Sequence, residues 1–299
     1  MSFALGRREA AAAGLKRRLE VEIAAAGEAL ADPATAAEAR IHAARRRLKR
    51  ARSILVALED VLGRAGRQAR RRLRDIARML AGSRDADVLA AAAASLRDAA
   101  GPDERPALAR LAASLAARAA AAHAAAAPLA AVAAALAEAE TVVADTALPG
   151  KRGRRGDAGR DLLAEALFDA YKAGRKAMAA ALASPEDARL HAWRKAVKHR
   201  WHLSRLAERR LAGTDRTTVN RLDRLAETLG QEHDLALLAV VVAQAPELTG
   251  GAEAAGRVAA LVERRRQMLA EAAFALGSAL YRDKPKRFRA GLATLPEAG

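Results

Sequence analysis

The feature that most constrains this chain is that it matches itself. Ala39-Arg40-Ile41-His42-Ala43-Ala44-Arg45 returns as Ala188-Arg189-Leu190-His191-Ala192-Trp193-Arg194, with five of seven positions identical. A constant offset of 149 then pairs Lys49 with Lys198, Arg72 with Arg221, Leu73 with Leu222, Leu80 with Leu229, Asp85 with Asp234 and Leu89 with Leu238, without a gap. A fold for one copy must therefore serve the other. The chain is expected to be an internal duplication of two halves related by approximate two-fold symmetry.

Those halves should be helical. Hydrophobic residues make up 52% of the 299 positions while aromatics make up only 3%, and most of the apolar content is alanine. Alanine has the best helix propensity, and its small side chain lets helices approach closely. No run of alternating β-branched residues marks a strand. The expected class is all-α, as two four-helix bundles over about 1–148 and 160–290. The basic, glycine-rich segment 149–159 is expected to be a flexible linker between them, and 1–299 is read as a single domain.

Glycine, proline and capping residues predict helices over 2–30, 35–62, 67–80, 85–100, 103–126, 129–145, 160–183 and 187–211. Further helices are predicted over 217–229, ending at Gly230, then 234–244 and 252–280, with a basic tail 282–289 of undefined structure. The absence of cysteine excludes disulfides and thiolate metal sites. Charges interrupt every apolar stretch before it could span a bilayer, so a cytoplasmic protein without a membrane partner is expected.

Net charge is +17, and it is unevenly placed. Residues 40–84 hold fifteen Lys or Arg against three acids, whereas 85–149 hold four bases against eight acids. Concentrating like charge costs self-repulsion, which a polyanionic partner relieves. At 100° per residue, His42, Arg45, Arg46, Lys49 and Arg52 fall within about 120° of one another on a helix. Ile41, Ala44, Leu48, Ala51, Leu55 and Leu58 take the opposite face. In the second copy His191, Arg194, Lys195, Lys198, His202 and Arg205 share the stripe, and Leu190, Trp193 and Val197 face away. Arg67, Arg71, Arg74 and Arg78 form another one-sided row on the next helix. Guanidinium forks bind phosphate oxygens in bidentate fashion and lysines act as point charges, so stripes lining one groove suit a chain of phosphates. A histidine among so many cations is expected to be neutral and to donate one hydrogen bond.

The paired blocks His42-x-x-Arg45-Arg46-x-x-Lys49-Arg50-x-Arg52 and His191-x-x-Arg194-Lys195-x-x-Lys198 resemble the CHAD domain, the conserved histidine α-helical domain. Leu80-x-Gly82-x-Arg84-Asp85-x-Asp87-Val88 and its weaker echo Leu229-Gly230-x-x-His233-Asp234-Leu235 support the resemblance. The echo replaces Arg84 by His233, and Trp201 stands where Arg52 does, so the halves are not equivalent. The resemblance implies two four-helix bundles about a pseudo-two-fold axis and a basic cavity or surface that binds inorganic polyphosphate. Family members often accompany a triphosphate tunnel domain. Its Glu-x-Glu-x-Lys pattern is absent, so a stand-alone member, at polyphosphate granules, is expected.

The expected polyphosphate-binding set is His42, Arg45, Arg46, Lys49, Arg50, Arg52, Arg71, Arg72, Arg74, Arg78, His191, Arg194, Lys195, Lys198, His202, Arg205 and Arg221. His199 and His202 sit near one another, but no further ligand completes a zinc set. No nucleophile with a base and no cofactor motif is present, so a non-catalytic binding protein without cofactor or metal is expected. Two alternatives stand beside it. One is a nucleic-acid-binding protein, which two Trp, two Tyr and four Phe equip poorly for base stacking. The other is a phosphohydrolase or accessory protein of polyphosphate metabolism.

Overall fold

Alanine-rich stretches fold here as long helices, several of which run on through glycine. The computed structural model describes residues 3–6, 9–80, 82–124, 129–146 and 158–292. Among them the order is α1 (Ala11–Ala31), α2 (Ala37–Ala57), α3 (Glu59–Met79), α4 (Gly82–Ser95), α5 (Arg105–Ala124), α6 (Leu129–Ala144), α7 (Ala158–Ala183), α8 (Asp187–Ala207), α9 (Arg216–Gln244), α10 (Ala252–Leu280) and the short α11 (Pro285–Gly291). No strand occurs among the described residues, and the fold is all-α. Residues 149–157 of the expected linker lie outside the described residues, and α7 begins directly after them.

The apolar faces read from the sequence are the buried faces. Ile41, Ala44, Leu48, Ala51, Leu55 and Leu58 are buried along α2, as are Leu190, Trp193 and Val197 along α8. Boundaries differ at three places. The first helix starts at Ala11 rather than near residue 2, because Phe3 and Leu5 are drawn into the core as an extended segment. The turn expected at Gly63–Gly66 is a kink at Gly63 (φ 52°) inside α3, and Gly66 is helical.

The third difference is the largest. The two helices expected over 217–229 and 234–244 are one helix, α9, which passes straight through Gly230. Subtracting the repeat offset from its bounds gives 67–95, the span that the first half divides between the later part of α3 and α4. The same segment is thus broken in one copy and continuous in the other. Asp215 caps the start of α9, its carboxylate accepting from the Thr218 N–H at 2.6 Å. Gly230 is buried against Arg194, whose Nε would lie 3.7 Å from an added Cβ.

The packing does not divide at the midpoint into two separate four-helix bundles. One core joins α1, α2, α3 and α6 with Leu163 and Leu167 of α7 and Leu203 and Leu206 of α8. A second joins α4 and α5 of the first half to Leu235, Leu238 and Val242 of α9 and Val258, Leu261 and Val262 of α10. A third is built by α7, α8, the early part of α9 and the end of α10 around Trp193, Tyr171 and Tyr281. The α4–α5 hairpin therefore buries its apolar stripe against the second half rather than against α1–α3.

Trp193 fits because α10 offers a glycine. A Cβ at Gly277 would lie 2.6 Å from Trp193 Cζ2 and 2.9 Å from Met178 Sδ, too close for either. Gly256, on the same helix, has nothing within 4 Å of such an atom. Gly277→Ala should lower stability by about 1–3 kcal/mol through overpacking. Gly256→Ala should raise it by about 0.5–1 kcal/mol by removing backbone freedom from the unfolded chain. Paired thermal or urea melts of the two variants check both signs.

Candidate functional site

The basic stripe of α2 does not face one way as a set. Arg45 donates from Nη1 to the carbonyls of Leu80 at 2.8 Å and Ala77 at 3.3 Å, satisfying acceptors left over at the end of α3. Arg47 and Arg50 turn toward Glu22 of α1, at 3.1 and 3.6 Å. Glu22 is fully buried, and Arg18, one turn before it, lies 3.8 Å away. Arg46 and Lys49 are exposed, and His42 and Arg52 are half-buried. Burial, with Arg74 and Arg70 close by, lowers the Arg52 pKa.

On α3 the expected row is largely at the surface. Arg71, Arg74 and Arg78 are exposed and Arg72 is half-buried. Asp75 takes Arg78 at 2.5 Å and Arg74 at 3.7 Å, while Arg70 pairs with Glu59 at 2.8 Å. Arg221 is exposed on α9.

The two basic stripes meet where α2 passes α8. Three guanidinium carbons, those of Arg18, Arg50 and Arg205, lie 5.3, 5.1 and 5.1 Å from the centre of the Phe3 ring. Arg205 also lies over Trp201 at 5.0 Å, and no carboxylate pairs with it among the described residues. His202 is buried, meets Phe3 edge-on at 6.4 Å, and its Nδ1 has no hydrogen-bond partner among the described residues. Burial, then Arg50, Lys198, Arg205 and His199, hold its pKa well below the usual value, so the ring is neutral near pH 7.

Farther along α8, Lys198 and Arg194 are half-buried, and burial is the largest influence lowering both pKa values. Acids of α9 oppose that shift, Asp234 at Arg194 and Asp223, Asp234 and Glu227 at Lys198. His191 packs on His233 at 4.3 Å, and its Nδ1 and the Arg194 Nε are buried without hydrogen-bond partners among the described residues. Lys195 is exposed. Arg200, which belongs to the same basic run, is instead structural. It donates to the Leu280 carbonyl at 3.0 Å and lies between the rings of Tyr171, Tyr281 and Phe288 at 4.8, 4.8 and 5.2 Å.

The structure thus brings Arg50, Lys198, His202 and Arg205 together, sets Arg194, Lys195 and His191 next along α8, and pairs Arg74 and Arg78 of the α3 row with Asp75. Phe3, Arg18, Glu22 and Arg47 join the site although the stripe pattern does not single them out. One sign of them was present in the sequence: Arg18 and Glu22 interrupt the apolar row Leu15, Leu19, Ile23 and Ala26. Among the described residues, no group of three or more His, Asp or Glu is placed to hold a metal ion.

Removing the buried carboxylate would leave its arginines uncompensated, so Glu22→Gln should cost about 3 kcal/mol of stability in chemical denaturation. The histidines add an acid sensitivity. Burial lowers the pKa of His191, with His233, Lys195 and Arg194 contributing, and of His199, each to about 4. In the window from about 6.5 down to about 4 the unfolded chain binds protons that the folded chain refuses, so stability falls as pH falls. A His191→Gln, His199→Gln variant should lose less melting temperature than the parent between pH 6.5 and 4.5.

Comparison with known proteins follows the same lines. Residues 13–243 match the CHAD domain family. The curated proteins contain no match. The crystal structure of the CHAD domain from the plant Ricinus communis superposes with a TM-score of 0.53, at 19% identity, over 97% of this chain and 93% of that one. At that identity the likeness speaks for the fold alone, whereas the family match spans most of the sequence, and this chain belongs to the CHAD domain family.

Proposed function

We propose that the protein binds inorganic polyphosphate, without catalysis, along the cations of α2 and α8. The observation that carries the reading is the meeting of Arg50 and Arg205, one from each half, across a single neutral ring. Arg205 is among the charges that lower the Arg50 pKa, which is the signature of like charges held close. Glu22 is shared by three arginines there, Arg205 beside them pairs with no carboxylate among the described residues, and a phosphate chain would bring negative charge to it. Exposed Arg46, Lys49 and Lys195 extend the cationic surface to either side. A granule location in the cell follows from the same reading, and no helix among the described residues is long and apolar enough to cross a membrane.

A second reading, nucleic-acid binding, shares the phosphates but needs rings for the bases. Trp193, Tyr171, Tyr281 and Phe3 are buried, and no aromatic is among the exposed large hydrophobic residues. The remaining described aromatics, Phe168, Trp201, Phe274 and Phe288, are only partly exposed, so the described surface offers bases little to stack on, which favours a ligand made of phosphate alone.

Titration with long-chain polyphosphate should show tight binding that weakens steeply with salt. Arg205→Gln and Lys195→Gln should each weaken it and reduce the salt slope by about 0.7–0.9 per lost contact. They are cleaner probes than Arg45, whose loss would also uncap α3. Absence of binding at moderate salt would overturn the proposal. Displacement of polyphosphate by single-stranded DNA at equal phosphate concentration would favour the second reading. Phosphate release with Mg²⁺, abolished by His42→Ala, would make the protein an enzyme.

A further inference from the structure

The α2–α8 crossing already has an occupant, and it comes from this chain. Phe3 is 6% exposed and sits where three guanidinium groups from α1, α2 and α8 converge. The segment carrying it is held by Leu5, fully buried in the same core, and by hydrogen bonds to α8 and the turn beyond. The Leu5 N–H donates to the Leu206 carbonyl at 3.0 Å, and Arg210 donates from Nη1 to the carbonyl of Gly6 at 3.0 Å and to that of Glu9.

We propose that Phe3 is a displaceable plug in the anion site, and that a bound phosphate chain expels it and releases residues 3–6 from α8. The inference rests on the polyphosphate reading and adds a gate to the same site.

The chemistry of the two occupants decides the direction. A ring face attracts each cation by about 0.5–2 kcal/mol. A phosphate oxygen offers a full charge and hydrogen bonds to each guanidinium edge, roughly twice as strong as neutral ones. Arg205 has no ion pair among the described residues, so the ring is a weak substitute for an anion there. His202 makes the same point from another side. Its buried Nδ1 has no partner among the described residues, and leaving such a nitrogen unsatisfied costs about 1–3 kcal/mol. The ring thus covers the converging cations without neutralising them, and a ligand must first displace it.

Calorimetric titration of the full chain with inorganic tripolyphosphate and with long-chain polyphosphate tests the plug. Phe3→Ala should bind about tenfold more tightly than the parent because the displacement cost has gone, and Phe3→Leu, which keeps an apolar filler but no ring face, a few-fold more tightly. In the parent, amide exchange at Leu5 should accelerate when polyphosphate saturates the protein. Equal or weaker affinity in both variants, or an unchanged Leu5 exchange rate at saturation, would overturn the plug while leaving polyphosphate binding intact. If the parent did not bind, the proposed function and the plug that rests on it would both be overturned. Should Phe3→Ala fail to fold, as circular dichroism would reveal, the Leu5 exchange rate in the parent decides.

Discussion

The buried carboxylate of Glu22 is the contact on which the packing of α2 against α1 depends. It sits on the apolar face of α1 with no exposure to solvent, and Arg18, Arg47 and Arg50 surround it. A lone charge there would be prohibitive to desolvate, and three arginines without it would repel one another. Together they fix the azimuth of α2 against α1. That in turn decides which bases of α2 look inward to α8 and which, like Arg46, look out. Charge complementarity at the protein's centre thus places the cations that remain uncompensated at its crossing.

The two similar stretches of sequence do not fold alike. The α2 and α8 copies keep the same faces, but the following segment is divided between α3 and α4 in the first half and is one helix, α9, in the second. In the first half the break lets α4 and α5 swing away from α1–α3 and reach α9 and α10. The same stripe therefore meets different neighbours: Arg45 finds the open end of α3, whereas its counterpart Arg194 finds the side of an unbroken helix at Gly230. Identical residues at equivalent positions acquire different tasks from the local break.

Much of this was legible in the sequence, and the reasons for the rest are physical. Helix type and the buried faces of α2 and α8 follow from periodicity, which reports burial directly. The continuity of α9 was hidden because Gly230 and Gly63 look alike in isolation. The structure bends at Gly63, with positive φ, and keeps Gly230 helical, because Leu229 and Leu235 anchor α9 on both sides of it. The stripes locate cations but not their partners: whether Arg45 caps a helix or meets a ligand depends on where α3 ends. Phe3 was illegible because nothing local distinguishes a ring that joins the core from across the chain. Glu22 left a trace, as an acid in an apolar row.

The unbroken α9 has a mechanical consequence. With 29 residues at 1.5 Å each it is a rod of about 43 Å, and the second and third cores are both fastened to it. The α4–α5 hairpin, though encoded in the first half, is strapped to this rod, while α8 lies against its opposite end. A displacement of α8 at the crossing has a path to the far core along one helix axis, whereas the matching span of the first half is divided between two helices, α3 and α4. Matching spans of sequence thus give one half a single long lever and the other two short ones.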